Sequence, residues 1–212
     1  MAKGITRQRI VEAALEVLDE KGADAVTVRA VASRLDVRAP ALYWHVSGKQ
    51  ELLDEMGTEI QRRVMAASSP RAGASPQESL GDYARALRHE YLLHRDGART
   101  FSGTRLTDPD VLRAQEPWLE AWTADGVPLE TAVDAAELVT AFVVGFVIEE
   151  QERAQSAQED PERYDAESRD AFIGEGAPLV RRTGRLHQES EASFERQLAM
   201  VLTGISGALA GS

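Results

Sequence analysis

The amino-acid sequence predicts an all-α protein, with an N-terminal three-helix helix-turn-helix domain ahead of a larger helical domain. Three observations carry this. Apolar residues recur at three- and four-residue steps through most of the chain, the spacing of one helix face. Sustained period-two alternation is missing, and no Asn-Gly or Asp-Gly pair joins two apolar runs, so the signals of strands and hairpins are lacking. Ser, Thr and Pro stand at the starts of the periodic segments and Gly at their ends, where helix termini favour them.

Ile10, Ala13, Ala14, Val17 and Leu18 form the stripe of a first helix over roughly residues 6–21, and Lys21-Gly22 is its stop signal. Thr27 is placed to cap a short second helix whose Val28, Val31, Ala32 and Leu35 face inward. After a tight break at Asp36-Val37, a third short helix is expected over 38–45, with Pro40 in its first turn. Ser47 is expected to cap a fourth helix with the stripe Leu52, Leu53, Met56 and Ile60. The stretch SSPRAGASP at 68–76 reads as a connector. Ser75-Pro76-Gln77-Glu78 combines a cap, a first-position proline and an acid three residues after the cap, which opens a helix running to about His94. Asp96-Gly97 breaks it. Asp108-Pro109 begins another helix, bent or restarted near Pro117 and closed by Asp125-Gly126.

Pro128 opens the longest helix, about 128–155, whose centre LVTAFVVGFVI is apolar on nearly every side and so must be covered all round. Residues 156–184 are polar and acidic and read as a mobile loop with one or two short turns. The last helix, about 187–210, carries Phe194, Leu198, Val201, Leu202, Ile205 and Leu209, and Gly204 and Gly207 allow a close helix approach. Its apolar excess and that of the 128–155 helix imply a four-helix bundle between two copies of the chain.

Composition removes several functions. The chain has 212 residues, a formal net charge of −11 and no cysteine, which excludes disulfide scaffolds, iron–sulfur clusters, cysteine zinc sites and thiol nucleophiles. No secretory signal follows the N-terminus, and the apolar run Leu138 to Ile148 is shorter than the ~20 residues that span a bilayer. A cytoplasmic protein with no membrane partner is expected. His89-Glu90 followed by His94 has a superficial likeness to the HExxH zinc motif, but histidines five apart point about 140° apart on a helix and cannot share a metal. No Walker A loop or GxSxG elbow occurs. Neither an enzyme nor a bound cofactor or metal is expected.

The charge is uneven: residues 1–49 carry a net +2 and the remainder a net −13. That split is either chance or a polyanion-binding face on an acidic body. Two short helices joined by a three-residue break and braced by longer helices form a helix-turn-helix unit, whose second helix enters the DNA major groove. Here that helix would be RAPALYWHV. Tyr43, Trp44 and His45 are consecutive, about 100° apart, so they cannot all face one core. Their polar tips suit phosphate oxygens; the alternative packs Tyr43 or Trp44 into the small domain.

The segment 5–56, from ITRQRI to LLDEM, resembles the DNA-binding domain of the TetR family of transcriptional regulators, with ALYWHVSGKQELLD its most specific part. LLHRDGARTFSGTR and GFVIEEQE resemble segments of the ligand-binding domain in the tetracycline-repressor subgroup. The resemblance implies two domains, DNA-binding over 1–66 and ligand-binding and dimerisation over 67–212. It implies that Thr27 and Arg29 contact phosphate and a base edge, that Arg38, Pro40, Tyr43, Trp44 and His45 lie along the groove, and that Lys49 meets phosphate. Ala39 and Ala41 stand where the subgroup has polar base-readers, so a different operator is implied.

For the effector, the resemblance implies Met65, Tyr83, Leu87, Phe101, Thr104, Arg105, Trp118 and Glu149. The competing view makes most of these core residues, Leu87 and Met65 above all. Phe101 is informative, because the subgroup carries a magnesium-binding histidine there and phenylalanine cannot ligate magnesium; Thr104 and Glu149, the other members of that shell, are kept. An uncharged or weakly polar effector taken without metal is therefore expected. Glu149 and Glu150 either mark where the helix re-emerges into water or point into the pocket or across a dimer.

The function implied is a ligand-responsive repressor that binds a palindromic double-stranded operator as a homodimer and is released by a small-molecule effector, with the 95–106 segment pushing the fourth helix. A helical small-molecule-binding protein without regulatory DNA binding is the alternative. A DNA-compaction protein is disfavoured by the net charge of −11.

Overall fold

A computed structural model describes residues 4–69, 71, 73–162, 165–186 and 190–210. Among them every regular element is helical. Helix α1 (Arg7–Lys21) is capped by Thr6, whose hydroxyl accepts from the Arg9 N–H, and closed by Gly22 at φ 80°. Helix α2 (Val28–Arg34) is capped by Thr27 as its sequence predicts. Asp36 takes the left-handed conformation (φ 54°) in the break that follows.

The segment expected as a third α-helix is shorter. Only Ala39–Ala41 form a 3-10 turn, continued by turns to His45. Leu42 N–H bonds to the Ala39 carbonyl and His45 N–H to that of Leu42, both i to i+3. Between Pro40 and Gly48 there is no length over which α-helix propagation could offset the cost of nucleation.

Helix α3 (Lys49–Ala67) starts two residues after Ser47, with Gly48 at the cap position. Ser47 does not cap it through its side chain; instead the Glu51 carboxylate reaches back to accept from the Ser47 N–H at 2.6 Å. Helix α4 (Pro76–Leu92) opens on the full capping box read from Ser75 and Glu78. Helices α5 (Gly97–Phe101), α6 (Pro109–Arg113) and α7 (Glu116–Ala124) are short, with the restart expected near Pro117.

Helix α8 (Leu129–Glu159) runs four residues beyond the expected end. By length and hydropathy it could cross a membrane, more than its central apolar run alone suggested, but it packs in this chain against α4, α5, α7 and α11. The 156–184 stretch corrects the expected loop. It contains the end of α8, then α9 (Ala166–Ile173) and α10 (Pro178–Leu186). Asp165 caps α9 by accepting from the Ser168 N–H at 2.7 Å, and the near-buried Asp170 faces Arg181 of α10 at 3.7 Å. Caps and a buried charge, not an apolar stripe, make this pair, so hydrophobic periodicity passed over it. Helix α11 is Ser190–Ala210; the expected start at 187 and the Leu209 side chain lie outside the described residues.

One continuous apolar core joins both halves, from Ile10, Leu18, Leu52 and Met56 to Leu80, Val139, Val143, Phe194 and Leu198. Arg88 ties α4 to α8 and α11. It is nearly buried, forms a two-pronged bond with Glu150 (2.8 and 3.1 Å), pairs with Glu191 and lies 4.7 Å over the Phe194 ring. Removing its carboxylate partners would leave a buried charge uncompensated.

Candidate functional site

The N-terminal unit presents one outward face. Leu42 and Val46 are fully buried and anchor the turn after α2. Residues between two such anchors point away from the core, and Tyr43 is 53% and Trp44 90% exposed. His45 is half-buried, and its carbonyl accepts from Arg7 at 3.1 Å. Arg29, Arg38, Pro40 and Lys49 are exposed on the same unit. Thr27 is exposed too; its oxygen caps α2 at 3.1 Å while its hydroxyl proton stays available. Lys49 reaches the Ala23 carbonyl at 3.4 Å. Trp44 and Tyr43 thus form an adjacent pair of outward aromatic side chains on the unit.

A cavity of about 210 Å³ lies between α3, the end of α4, the α5–α6 segment and α8. Phe101 and Thr104 line it together. The Phe101 ring packs 6.1 Å from Tyr91 and 5.8 Å from His94, and the Thr104 hydroxyl donates to the Phe101 carbonyl at 2.8 Å. Tyr83 adjoins it through Thr140, whose oxygen lies 3.1 Å from the phenol, and Trp118 sits edge-on to Tyr83 at 5.8 Å. Trp118 Nε1 is buried with no hydrogen-bond partner among the described residues, an exception to the rule that buried donors are satisfied. Leu87 and Met65 are packed into the apolar interior, and the Arg105 side chain is exposed.

Glu149 does not join this group. It is exposed, pairs with Arg153 at 3.3 Å, and borders a separate open groove with Phe142 and Phe146 on α8 and α11. Sequence reasoning missed Tyr91 and Thr140. Tyr91 lies eight residues after Tyr83 on α4, on the same helical face, and that spacing could have found it. Its phenol is pushed up from its ordinary pKa by burial, then by the neighbouring Tyr83, so it stays protonated.

The residues here do not fit a bound magnesium ion. Phenylalanine fills the position of the metal ligand, the Thr104 hydroxyl is turned to a carbonyl, and Glu149 faces elsewhere. Among the described residues no three His, Asp or Glu side chains converge. His89 is exposed while the buried His94 pairs with Asp19, so the two histidines do not form a metal site.

Two sets of contacts connect the cavity wall to the N-terminal unit. The 104–108 segment is strapped along α3: Arg105 N–H to Asp54 (3.1 Å), Thr107 N–H to Thr58 (2.9 Å) and Arg62 to Asp108 (2.8 Å). A Cβ on Gly57 would overlap Thr104, so α3 and this segment touch without a spacer. At the corner after α4, His94 Nδ1 lies 3.0 Å from Asp19 of α1, and Asp96, left-handed at φ 55°, accepts from the Ala23 N–H at 3.3 Å.

Comparison with known proteins then settles the kinship. Residues 10–56 match the family described as "Bacterial regulatory proteins, tetR family", and residues 69–209 match "Tetracyclin repressor-like, C-terminal domain". The chain belongs to the TetR family. It is 33% identical over 201 residues to the class A tetracycline repressor protein from transposon 1721 of Escherichia coli, covering 93% of this chain and 88% of that protein. A possible TetR-family transcriptional regulator from Streptomyces coelicolor A3(2) superposes with a TM-score of 0.78 at 32% identity, over 96% of this chain and all of that one. The class A repressor in complex with 5a,6-anhydrotetracycline and magnesium superposes with a TM-score of 0.70 at 29% identity, over 93% of this chain and 96% of that one. As a TetR-family regulator, this protein is a ligand-responsive transcriptional repressor, close to the tetracycline-repressor subgroup.

Proposed function

We propose that this TetR-family repressor binds a palindromic operator as a homodimer and lets go when an uncharged effector enters the cavity beside Phe101 and Thr104, with no enzymatic activity. The observation that carries the DNA-binding assignment is Trp44, 90% exposed beside the half-exposed Tyr43 on a turn held from behind by Leu42 and Val46. Arg29, Arg38 and Lys49 would supply the phosphate and base-edge contacts, with Thr27, Pro40 and His45 positioning the turn. In the division proposed, residues 1–66 bind DNA and 67–212 bind effector and dimerise, with the repressor acting in the cytoplasm, where its DNA is.

Dimerisation is supported by large apolar side chains on α8 and α11 that nothing among the described residues covers. Leu129, Val133 and Leu138 on α8 and Met200 on α11 are exposed, the last at 74%. Apolar side chains gathered on two long helices bury themselves most simply against a second copy.

The effector reading rests on the cavity and on the straps from its wall to α3. An effector that displaces the 104–108 segment shifts α3 and with it the attached turn, and it needs a differential affinity of only ~1–3 kcal/mol between the two states. Tyr83, Leu87, Met65, Trp118 and Arg105 would serve as wall, support and mouth of the site, and Glu149, outside this cavity, would act only across the dimer. Operator binding measured by fluorescence anisotropy, with and without tetracycline, magnesium and EDTA, tests the metal-free reading. Tetracycline should not release the operator, and EDTA should change nothing. Tight tetracycline binding that EDTA abolishes would contradict it.

A further inference from the structure

The effector cavity holds an accounting of protons that points to its ligand class. Among the described residues that line it, none carries a charge at neutral pH. Of its lining hydroxyls, that of Ser102 belongs to a solvent-exposed residue, and those of Thr104 and Thr140 are committed. Thr104 donates to the Phe101 carbonyl at 2.8 Å, and Thr140 donates to the Ala136 carbonyl at 2.8 Å. Because the Thr140 proton is used there, the 3.1 Å contact with Tyr83 must be donated by the Tyr83 phenol. Tyr91 differs. The residue is 6% exposed and its ring packs tilted against Phe101 at 6.1 Å, yet its hydroxyl meets no acceptor among the described residues and is not sealed off as Trp118 Nε1 is.

We propose that Tyr91 is the hydrogen-bond donor that selects the effector, and that the effector is a small, flat, uncharged aromatic molecule carrying a carbonyl or similar acceptor. This rests on reading the cavity as the effector site. Three physical reasons fix the class. The space of about 210 Å³ is below the ~300–1,000 Å³ of sites for drug-sized ligands. The Phe101 and Tyr91 rings favour an aromatic partner at stacking distance. An anion would have to be buried with no cation in the lining to meet it, which is strongly unfavourable. A neutral acceptor, by contrast, satisfies a phenol whose proton would otherwise go unused.

The test uses three probes of one shape on the full-length protein: 2-acetylnaphthalene (neutral acceptor), 2-ethylnaphthalene (no acceptor) and 2-naphthoate (anion). Titration calorimetry should show the ketone binding about five- to tenfold more tightly than the hydrocarbon, with 2-naphthoate failing to displace it. In Tyr91→Phe the ketone should lose that advantage, while the hydrocarbon binds as before. Gln61→Leu and Ser102→Ala remove the other uncommitted polar side chains among the described lining residues and should each keep the ketone preference, so the assignment stays testable even if Tyr91→Phe folds poorly. Unchanged preference in Tyr91→Phe, loss of preference in Gln61→Leu or Ser102→Ala, competitive binding of the carboxylate, or no binding of any probe overturns the proposal. The same samples are mixed with operator DNA selected from a random pool. Tyr91-dependent ketone binding that leaves operator affinity unchanged upholds the donor and instead refutes the cavity's role as the effector site.

Discussion

Trp44 is the residue whose environment says most. Its neighbours Leu42 and Val46 are buried to 1% or less while it is 90% exposed, the arrangement on which the proposed DNA contact rests. Consecutive placement of Tyr43, Trp44 and His45 made an outward residue inevitable, and that much was legible in the sequence. What was not legible is the sharing of roles, since His45 is half-buried and its carbonyl is held by Arg7. Tyr43→Ala should weaken operator binding several-fold with dimer mass and effector affinity unchanged. Lys49→Ala should lower the slope of log affinity against log salt by ~0.9 for each half-site; both are read from anisotropy titrations at several salt concentrations. In the body, Phe101 and Thr104 meet as the sequence implied, but Glu149 does not join them within one chain. A helix presents adjacent acids on different faces, and their partners, Arg153 for Glu149 and Arg88 for Glu150, are fixed by tertiary packing that spacing alone does not encode.

Among the elements, helix starts were the most readable, because a cap is a local device. The Ser75–Glu78 box was visible as four letters and is present in full. The Ser75 backbone N–H and then its hydroxyl hold the Glu78 carboxyl below its ordinary pKa. A carboxyl with a lower pKa folded than unfolded adds stability that is complete above the unfolded value and is lost as pH falls through the folded one. Glu78→Gln should therefore lower the melting temperature at neutral pH and show a smaller further loss below the ordinary glutamate range. The turn at 39–45 and the α9–α10 pair were the elements misjudged. The first is too short to propagate as an α-helix, and the second is held by caps and the buried Asp170 in place of an apolar stripe. Helix α3 is the element the proposed switch would act through, because Asp54, Thr58 and Arg62 fasten it to the cavity wall. Gly57→Ala forces a methyl into Thr104, an overpacking that costs about 1–3 kcal/mol. A lower melting temperature and altered operator affinity without effector should both follow, checked by calorimetry and anisotropy.

At the scale of the whole molecule, a weakly basic head sits on a body with a net charge of −13. In the proposed reading, DNA would be drawn to the face carrying Arg29, Arg38 and Lys49 and repelled by the acidic remainder. If the exposed apolar residues of α8 and α11 meet a second chain as proposed, Leu138→Glu should yield single-chain mass in sedimentation at micromolar concentration, with operator affinity lost alongside. A two-fold dimer can read only a two-fold site, and its two turns must meet successive faces of the major groove one helical turn apart, roughly 34–36 Å. Selection of bound duplexes from a random DNA pool tests this most directly. The sequences recovered should be inverted repeats with half-site centres about ten base pairs apart or a multiple of that, and the Tyr43→Ala protein should enrich the same sites more weakly. Enrichment of sites without dyad symmetry, or of no sites at all, would contradict the account.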